Sequence, residues 1–478
     1  MAKAKMRDLV VLLPGITGSV LQKNGKDLWD VSGNALWSAL TSLSNNLQAL
    51  KLPDHDPGVE PPDDGVRATA LIQKFHGVFG LGRIDGYTAL AHLIANNFEV
   101  IAGSVAQPTP ANFIEFPYDW RQSNRTSARR LKRVIDERLA LWREWSHWHD
   151  ARTILIAHSM GGLVARYYLE VLDGWRDCKA LVTFGTPYRG SVDAVNYLAN
   201  GYKNVLLDLT EVMRSFPSVY ELLPIYPMVK TGASKYARVA EIDGIPNVSQ
   251  VRAADALKFH REIESKVEAH LNDAEYMSSR YIMLPVSGIA QPTLQSAELS
   301  GVKLVVSAAR PGWIEEELEG GDGTVLRVSA TPIELSSALS GTFLAERHSS
   351  LQNNDYALDN LGTQMKQMQA TGLGNVRGTW AAGVSPAPIG LNLEDLYSPE
   401  ETVRIQATLA GAFGVPKAEL CEVSGENRKW QADFRSSGGD FELVLPGLAP
   451  GQYRIKVHSA KGGPGAPRPV TDVFEVIG

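Results

Sequence analysis

Two patterns of apolar and polar positions alternate along the first 370 residues of the chain: short continuous apolar runs and stretches with helical spacing. Short continuous apolar runs, which are typical of buried strands, occupy residues 7–13, 112–116, 153–156, 180–184, 281–286 and 303–307. Helical spacing of apolar residues marks 28–50, 86–95, about 126–147, the stretch after 161 and about 353–369. Strands that alternate with helices over this length predict an α/β domain built on a mostly parallel sheet.

Two of the predicted helices have regular apolar faces. The first face consists of Leu36, Leu40, Leu43, Leu47 and Leu50, and the second of Leu131, Ile135, Leu139, Trp142 and Trp145. Such faces pack helices against a sheet. Residues 200–280 differ from the rest because their pattern is mostly helical and lacks clear strands. We interpret this stretch as an insertion that forms a cap or lid.

Beyond residue 389 the apolar pattern has a period of two. Residues 403–407, 441–445 and 453–457 follow this alternation, and the turns between them are rich in Gly and Pro. Short alternating strands over about 90 residues predict an immunoglobulin-like β-sandwich. Residues 371–389 are rich in Gly, Ala and Pro, as linkers are. We therefore predict an α/β domain over 1–375, a linker over 376–389 and a β-sandwich domain over 390–478.

Composition narrows the class of protein. A chain of 478 residues needs more than one core, and its net charge of −6 argues against nucleic acid as a partner. The two cysteines, Cys178 and Cys421, lie far apart in the sequence. They suggest neither a disulfide framework nor a zinc site, and we expect no metal and no other cofactor.

Apolar runs also bear on location. The run from Leu9 to Leu13 is too short for a secretion signal, and we interpret it as the first strand. No apolar run approaches the roughly 20 residues that span a bilayer. We therefore expect a cytoplasmic protein whose contact with membranes is at most peripheral.

The most specific motif of the chain is Ala157-His158-Ser159-Met160-Gly161, between a predicted strand and a predicted helix. Small residues on both sides of a serine allow a very tight turn, which exposes the hydroxyl group at the end of the strand. This is the nucleophile elbow of α/β-hydrolases, with Ala157 where glycine is usual. We predict Ser159 as the nucleophile and expect His158 to have a packing role.

A serine nucleophile needs a base and an orienting carboxylate, which follow it in that fold in the order acid, then histidine. The histidines after Ser159 are His260, His270, His348 and His458. His348 lies in a loop between a candidate strand and a helix, whereas the others lie in the predicted cap or in the β-sandwich. We therefore predict His348 as the base.

Asp322 is the predicted acid. It lies in a Gly-rich turn 26 residues before His348. A run of glutamates, Glu315 to Glu317 and Glu319, is the alternative, although its pattern is typical of a solvated surface. A plain turn is the other interpretation of an Asp-Gly pair.

An oxyanion hole in this fold uses the N–H group after the nucleophile and one from a loop after an early strand. The first is that of Met160. The loop Leu13-Pro14-Gly15-Ile16-Thr17-Gly18-Ser19 has glycines that let a substrate approach the backbone. We predict Ile16 as the second donor.

Taken in chain order, LLPGITGS, FPYDWR, AHSMGG, FGTPYRGS, GDGTV and the late His348 resemble the lecithin:cholesterol acyltransferase family over about residues 7–355. The resemblance implies an α/β-hydrolase with Ser159, Asp322 and His348 as its triad and with the Ile16 and Met160 amides as oxyanion donors. It also implies lipid acyl esters as substrates, an acyl group passed to water or to an alcohol, and no metal.

We expect the chain to depart from this family in having neither a secretion signal nor the disulfide-closed lid near the N-terminus. It also has a C-terminal β-domain that the eukaryotic members lack. The segment after the first strand also differs from the family, so lipid specificity is not carried over. We expect Trp29, with Trp37, Phe75, Phe79 and Leu81, near an acyl pocket or a membrane-facing surface, with plain core packing as the alternative.

FPYDWR contains the remaining candidates for substrate binding, Tyr118, Asp119 and Arg121. A buried Asp–Arg pair that holds a loop is the alternative interpretation of the motif. Three other functions stay open: a catalytically weak lipid-binding protein, an effector whose β-domain docks a protein or a glycan, and a peptidase or thioesterase with the same triad. Fold and triad together do not determine the leaving group.

Overall fold

The structure is a computed structural model that describes residues 2–29, 49–53, 59, 61–73, 86–204, 207–338, 341–370, 388–409, 413–422, 428–461 and 466–476. Over these ranges the chain forms an α/β part followed by an all-β part. Of the predicted residues, Trp37, Phe75, Phe79 and Leu81 lie outside the described ranges.

A parallel sheet forms the centre of the α/β part. Its strands in chain order are β1 (Leu9–Leu13), β2 (Ala102–Gly103), β3 (Phe113–Glu115), β4 (Thr153–His158), β5 (Cys178–Phe184), β6 (Ile282–Gly288) and β7 (Thr342–Leu344). Their spatial order is β7-β6-β5-β4-β1-β3-β2, and each neighbouring pair is parallel. All five residues of β1 are buried, which explains its continuous apolar run.

Helices cover both faces of this sheet. The helices of the described ranges are α1 (Thr88–Asn97), α2 (Asn124–Ser146), α3 (Gly161–Glu170), α4 (Val192–Asn200), α5 (Thr210–Ser215), α6 (Pro217–Tyr220), α7 (Gln250–Leu271), α8 (Ala274–Ser279) and α9 (Asp355–Ala370). Short 3₁₀ helices occupy Gly174–Asp177, Val239–Glu241, Glu316–Leu318, Ile333–Ala338 and Leu351–Asn353. Successive residues of β1 alternate between a core shared with α2 and α3 and a core shared with α1 and α9. None of the helices in the described ranges is both long and apolar enough to cross a bilayer.

Helix α2 shows how the sequence determines a boundary. The Ser123 side chain accepts a hydrogen bond from the backbone N–H of Arg125 and so caps the helix. The helix therefore begins at Asn124, two residues before the predicted start. Leu131 and Ile135 are buried, as predicted. The prediction that Trp145 belongs to the buried apolar face is wrong. Its side chain is 55% exposed and stacks on Trp142 in the last turn of the helix.

The helix predicted over 28–50 begins too early. Lys26–Trp29 is a strand that forms an antiparallel sheet with Ser19–Lys23 and Val66–Leu71. The cause is the Asn24-Gly25 turn, where both residues have positive φ (54° and 72°), as a tight hairpin requires. Leu36, Leu40, Leu43 and Leu47 lie outside the described residues, and Leu50 is buried.

Short strands interrupt the predicted cap, contrary to the expectation that it has none. Lys203–Asn204 pairs with Leu207–Asp208, and a second small sheet joins Val229–Lys230, Tyr236–Ala237, Ser296–Ser300 and Lys303–Ser307. The predicted strand at 303–307 therefore belongs to this side sheet and not to the central one. A further pair joins Ala4–Lys5 to Phe98–Glu99. Helix α7 packs on α3, where Phe259 stacks on Tyr167.

The C-terminal part consists of two facing sheets. Its strands are β8 (Ile389–Asn392), β9 (Leu396–Tyr397), β10 (Val403–Leu409), β11 (Lys417–Glu422), β12 (Lys429–Asp433), β13 (Arg435–Ser437), β14 (Asp440–Leu445), β15 (Gly451–His458) and β16 (Val470–Val476). The sheets have the orders β8-β10-β14-β13 and β9-β16-β15-β11-β12. One apolar core, with Ile405, Leu443 and Ile455 at 3% exposure or less, lies between them. The predicted β-sandwich is thereby confirmed.

Candidate active site

The turn between β4 and α3 has the geometry that the motif predicts. Ser159 has a left-handed backbone with φ of 49°, which is rare for a residue with a side chain. Its N–H group donates to the Phe184 carbonyl at the end of β5 (2.8 Å). Because α3 begins at Gly161, the amino end of that helix lies next to the serine and favours negative charge there.

Glycines allow this turn to lie against the loop after β1. A Cβ atom on Gly161 would come within 2.4 Å of the Pro14 carbonyl oxygen, and one on Gly15 within 2.9 Å of the Ser159 Cβ. Real Cβ atoms do not approach so closely. Ala157 is fully buried in β4, opposite Leu13 and Thr183, so its methyl group fits where the motif usually has glycine.

Ser159, His348 and Asp322 form one chain of hydrogen bonds, although 189 residues separate the serine from the histidine. The serine Oγ lies 2.9 Å from His348 Nε2, and His348 Nδ1 lies 2.7 Å from Asp322 Oδ2. The second carboxylate oxygen of Asp322 accepts the N–H groups of Thr324 (3.0 Å) and Val325 (2.7 Å). With Oδ2 facing the histidine, these bonds require the Nδ1–H tautomer of His348, which leaves Nε2 free to accept the serine proton.

The imidazole–carboxylate pair is enclosed by backbone. Asp322 is completely buried and His348 is 4% exposed. Gly185 has φ of +57°, and a Cβ atom there would lie 2.8 Å from His348 Nδ1 and 3.0 Å from Asp322 Oδ2. The site therefore requires a residue without a side chain at this position, where the positive φ also favours glycine.

The predicted oxyanion donors, Ile16 and Met160, are both buried. In the described part of the structure, neither N–H group has a hydrogen-bond acceptor. Three side chains hold the loop that carries Ile16. Tyr118 donates to the Pro14 carbonyl (2.9 Å), Trp29 donates to the Thr17 carbonyl (3.0 Å), and Tyr87 accepts the Gly15 N–H (2.7 Å).

Two of the predicted substrate-binding residues, Tyr118 and Trp29, thus contact the loop after β1. The other two form an ion pair, in which Arg121 donates to both carboxylate oxygens of Asp119 (2.9 and 2.7 Å). The buried guanidinium of Arg121 also pairs with Asp64 and donates to the Leu50 carbonyl. A role of these residues in binding substrate stays a prediction.

Tyr87 is a residue of the site that sequence reasoning missed, and His158 has more than a packing role. The His158 Nε2–H donates to the His348 carbonyl (3.2 Å), so Nδ1 must accept the Tyr87 O–H (3.1 Å). Burial, with a smaller effect of nearby His348, lowers the pKa of His158 to about 3 and keeps it neutral. A directed chain of hydrogen bonds therefore runs from the Gly15 N–H through Tyr87 and His158 to the backbone of His348.

Replacing Tyr87 with phenylalanine should lower the free energy of unfolding by about 1–3 kcal/mol, because the Gly15 N–H and His158 Nδ1 would be buried without partners. Urea denaturation of the purified variant measures the change. Tyr236→Phe, at a partly exposed tyrosine, is the matched control and should change stability by at most about 0.5 kcal/mol. Equal stability of Tyr87→Phe and the wild type would contradict this account of the chain.

The other candidate histidines have partners of their own. His260 Nε2 donates to the Glu221 carbonyl (2.8 Å), and His270 Nδ1 lies 2.8 Å from Glu170 Oε2. His458 lies in β15 and faces Glu419 at 3.7 Å. Of the alternative acids, Glu315, Glu316 and Glu319 are exposed, as their charge run predicts.

A polar cavity of about 590 Å³ lies beside Asp322 and His348. Asp193, Tyr197 and Tyr202 form part of one wall, and residues 392–396 of the C-terminal part form another. Burial raises the pKa of Asp193 to about 7, with the nearby Asp322 adding to the effect. Within the ranges that the structure describes, no group of three or more His, Cys, Asp or Glu side chains is placed to hold a metal ion.

The parallel sheet, the sharp serine turn and the late histidine loop define an α/β-hydrolase. A family model for lecithin:cholesterol acyltransferase matches residues 52–295, just over half of the chain. The chain therefore belongs to the lecithin:cholesterol acyltransferase family. A search of curated proteins finds no match.

Solved structures with detectable similarity include a lipase of Bacillus licheniformis in two forms. The propeptide form has 14% identity and a TM-score of 0.33, over 96% of this chain and 74% of the lipase. The mature form has 11% identity and a TM-score of 0.32, over 75% and 91%. A multi-modular chitinase from Paenibacillus sp. str. FPU-7 matches 18% of this chain but only 8% of its own length, with 18% identity and a TM-score of 0.16.

Proposed function

We propose that this protein is a serine-dependent acyl-ester hydrolase or O-acyltransferase that acts on lipid esters. The observation that carries the proposal is the buried chain Asp322–His348–Ser159, with bonds of 2.7 and 2.9 Å. Nucleophilic catalysis by serine needs this arrangement, in which a base reaches the hydroxyl and a carboxylate orients the base. Membership of a family named for acyl transfer from a lipid supports the substrate class.

In the first half of the reaction, His348 Nε2 takes the Ser159 hydroxyl proton while Oγ attacks the ester carbonyl. The carbonyl oxygen becomes an oxyanion, which accepts hydrogen bonds from the backbone N–H groups of Ile16 and Met160. The imidazolium then gives its proton to the departing alcohol, and the acyl group stays on Ser159 as an ester. Asp322 remains ionised throughout and stabilises the positive imidazolium.

The loop after β1 contributes by being held in place before the substrate arrives. Each fixed oxyanion donor is worth roughly 10²–10³ in turnover. Tyr87, Tyr118 and Trp29 all bond to that loop, so the Ile16 N–H does not need to reorganise during the reaction. For Tyr118 and Trp29 this role accounts for their place in the site without direct contact to the substrate.

In the second half, His348 removes a proton from an incoming nucleophile, which attacks the acyl-enzyme. The bond between the acyl group and Ser159 Oγ breaks, and Oγ takes the proton back from His348. Water as the nucleophile gives a fatty acid, and an alcohol gives a new ester. The same residues serve both outcomes, so the ratio of hydrolysis to acyl transfer depends on whether water or an alcohol reaches His348. The polar cavity beside His348 supports access by a hydrophilic nucleophile.

A substrate panel tests the proposal. Purified protein is given a phospholipid, a triacylglycerol, a cholesteryl ester, a thioester and a short p-nitrophenyl ester, each with and without an alcohol acceptor, and is also treated with a fluorophosphonate probe. We expect release or transfer of acyl groups from at least one lipid ester, and labelling that is lost in Ser159→Ala. Labelling that persists in Ser159→Ala would overturn the assignment of the nucleophile. A panel that shows only thioester cleavage would overturn the substrate class, and lipid binding without any turnover would favour the catalytically weak alternative.

A further inference from the structure

The C-terminal β-sandwich reaches the predicted base through one buried carboxylate. Asp472 lies in β16 and its side chain is 1% exposed. One of its oxygens pairs with Arg347 Nε (2.9 Å), and the other accepts the Ser349 hydroxyl (2.9 Å). Arg347 and Ser349 are the residues on either side of His348, so a single carboxylate of the C-terminal part holds the histidine loop from both sides.

A second contact strengthens this junction. The backbone N–H of Thr471 donates to Glu346 Oε1 (2.8 Å), which also accepts the Arg347 N–H (3.0 Å). The other oxygen of Glu346 accepts the side chain of Asn354 just before α9. Of the four consecutive residues 346–349, three are therefore bonded to β16, and the fourth, His348, lies between two of them.

The Asp322 turn is connected to the same part of the chain. Arg347 Nη1 donates to the Leu391 carbonyl in β8 (3.0 Å), and its guanidinium lies so close to Gly323 that a Cβ atom there would come within 2.8 Å of it. Gln291 bonds to Ile389 and Leu391 through its side chain and to Gly321 through its N–H group. The loop of His348 and the turn of Asp322, which together orient the imidazole, are therefore both connected to the β-sandwich.

We propose that Asp472 is a positioning residue for His348, and that the C-terminal β-sandwich is for this reason a working part of the active site. The inference rests on the function proposed above and adds to it a residue 123 positions away from Ser349. The contacts of Asp472 that carry this inference are those with Arg347 and Ser349, on either side of the imidazole. Asp472 acts by setting the backbone from which the imidazole projects, and a shift of about 1 Å at such a group costs on the order of 10²-fold in rate.

An independent β-domain that only docks a partner predicts a different pattern of contacts. Such a module would meet the hydrolase through exposed, exchangeable side chains, and its loss would leave the chemistry intact. Here the junction contains a buried ion pair with Arg347 at 12% and Asp472 at 1% side-chain exposure. Removal of one partner of such a pair leaves an uncompensated charge next to the histidine loop.

The test uses the full chain with Asp472→Asn, which keeps the shape of the side chain but removes its charge. We expect kcat for a soluble ester to fall by roughly 10–100-fold while KM changes by less than about twofold. The rate at which a fluorophosphonate labels Ser159 should fall by the same factor, because labelling needs His348 but not a lipid-binding surface. Asp440→Asn, at an exposed position at the start of β14, is the control and should match the wild type in both measurements.

A folded Asp472→Asn protein with wild-type kcat and labelling rate would overturn the inference and leave the proposed function intact. A wild-type protein that neither turns over esters nor labels would overturn the proposed function, and the inference with it. If Asp472→Asn fails to fold, Ser349→Ala takes its place, since it removes one uncharged bond to Asp472. Its kcat should then fall by roughly threefold to tenfold at unchanged KM, and wild-type kcat in this variant would overturn the inference.

Discussion

Replacing Ser159 with alanine should lower the turnover of whichever ester the protein cleaves by about 10⁶-fold. His348→Ala should cost about as much, and the double variant should cost no more than either single one. The reason is that nucleophile and base act as one unit, joined here by a bond of 2.9 Å. Once one of them is missing, the other has no remaining task in forming the acyl-enzyme.

Steady-state kinetics on the three variants measure these losses, with near-ultraviolet circular dichroism as a check on folding. His458→Ala, in β15 of the C-terminal part, is the matched control and should retain wild-type turnover. Losses that multiply in the double variant would show that the two side chains act independently. That result would contradict the acyl-enzyme mechanism at its first step.

The largest loss of stability is expected from Arg125→Met, at about 3–5 kcal/mol. The Arg125 side chain is 4% exposed and pairs with Glu221, whose side chain is 2% exposed, and with Asp255 and Glu262 of α7. Glu262 also accepts the hydroxyl of Tyr167 in α3. One guanidinium therefore ties together α2, α7 and the helix that follows the serine turn, and its removal leaves the Glu221 carboxylate buried without a counter-charge.

The loss of stability in Arg125→Met should increase as the pH rises. Burial raises the pKa of Glu221 to about 7, against the opposing effect of Arg125. An acid whose pKa is raised in the folded state loses stability as the pH rises through that value, since the unfolded state then holds fewer protons than the folded state. Without Arg125 this pKa rises further, so the difference from the wild type should be larger at pH 8 than at pH 5.

Urea denaturation at both pH values provides the measurement. Lys132→Met on the same helix is the control, because Lys132 and Asp136 form an exposed ion pair that is worth at most about 1 kcal/mol. Equal losses for Arg125→Met and Lys132→Met would contradict the role given to the buried cluster. A larger loss at pH 5 than at pH 8 would contradict the assignment to Glu221.

Local patterns predicted much of the framework that holds the site. The apolar runs of β1 and β4 and the helical spacing of α3 are strong because both faces of the sheet are covered, which makes burial continuous along a strand. The serine turn follows from small residues, because a Cβ atom on Gly161 would collide with the Pro14 carbonyl and Ala157 is fully buried in β4. The chain order of Ser159, Asp322 and His348 was enough to select residues that the fold brings within hydrogen-bond distance.

Tyr87 and Asp472 could not be predicted, for a common physical reason. Tyr87 meets His158 across 71 residues, and Asp472 meets Ser349 across 123. The sequence around each residue gives no sign of its role, because the local pattern around a buried polar side chain does not differ from that around an exposed one. Only the packing of α1 beside β1, and of β16 beside the loop after β7, creates these bonds.

Other errors came from competing local signals. The leucine spacing after residue 30 extended the predicted helix back to residue 28, although the Asn24-Gly25 turn specifies a hairpin whose second strand, Lys26–Trp29, ends only at residue 29. Trp145 fits the helical period but lies in the last turn of α2, where its ring stacks on Trp142 and stays exposed. Periodicity predicts which side of a helix faces inward, but not how far along the helix the core extends.

The position of Asp472 also affects the order of events during synthesis. The central sheet and its covering helices are complete when residue 370 has emerged from the ribosome, whereas Asp472 follows 102 residues later. At translation rates of about 5–20 residues per second, this interval lasts roughly 5–20 s. A nascent chain therefore has time to fold its hydrolase core before the loop of His348 makes its contacts with Asp472. On the role proposed for Asp472, we expect the full rate of ester cleavage only after the β-sandwich has folded.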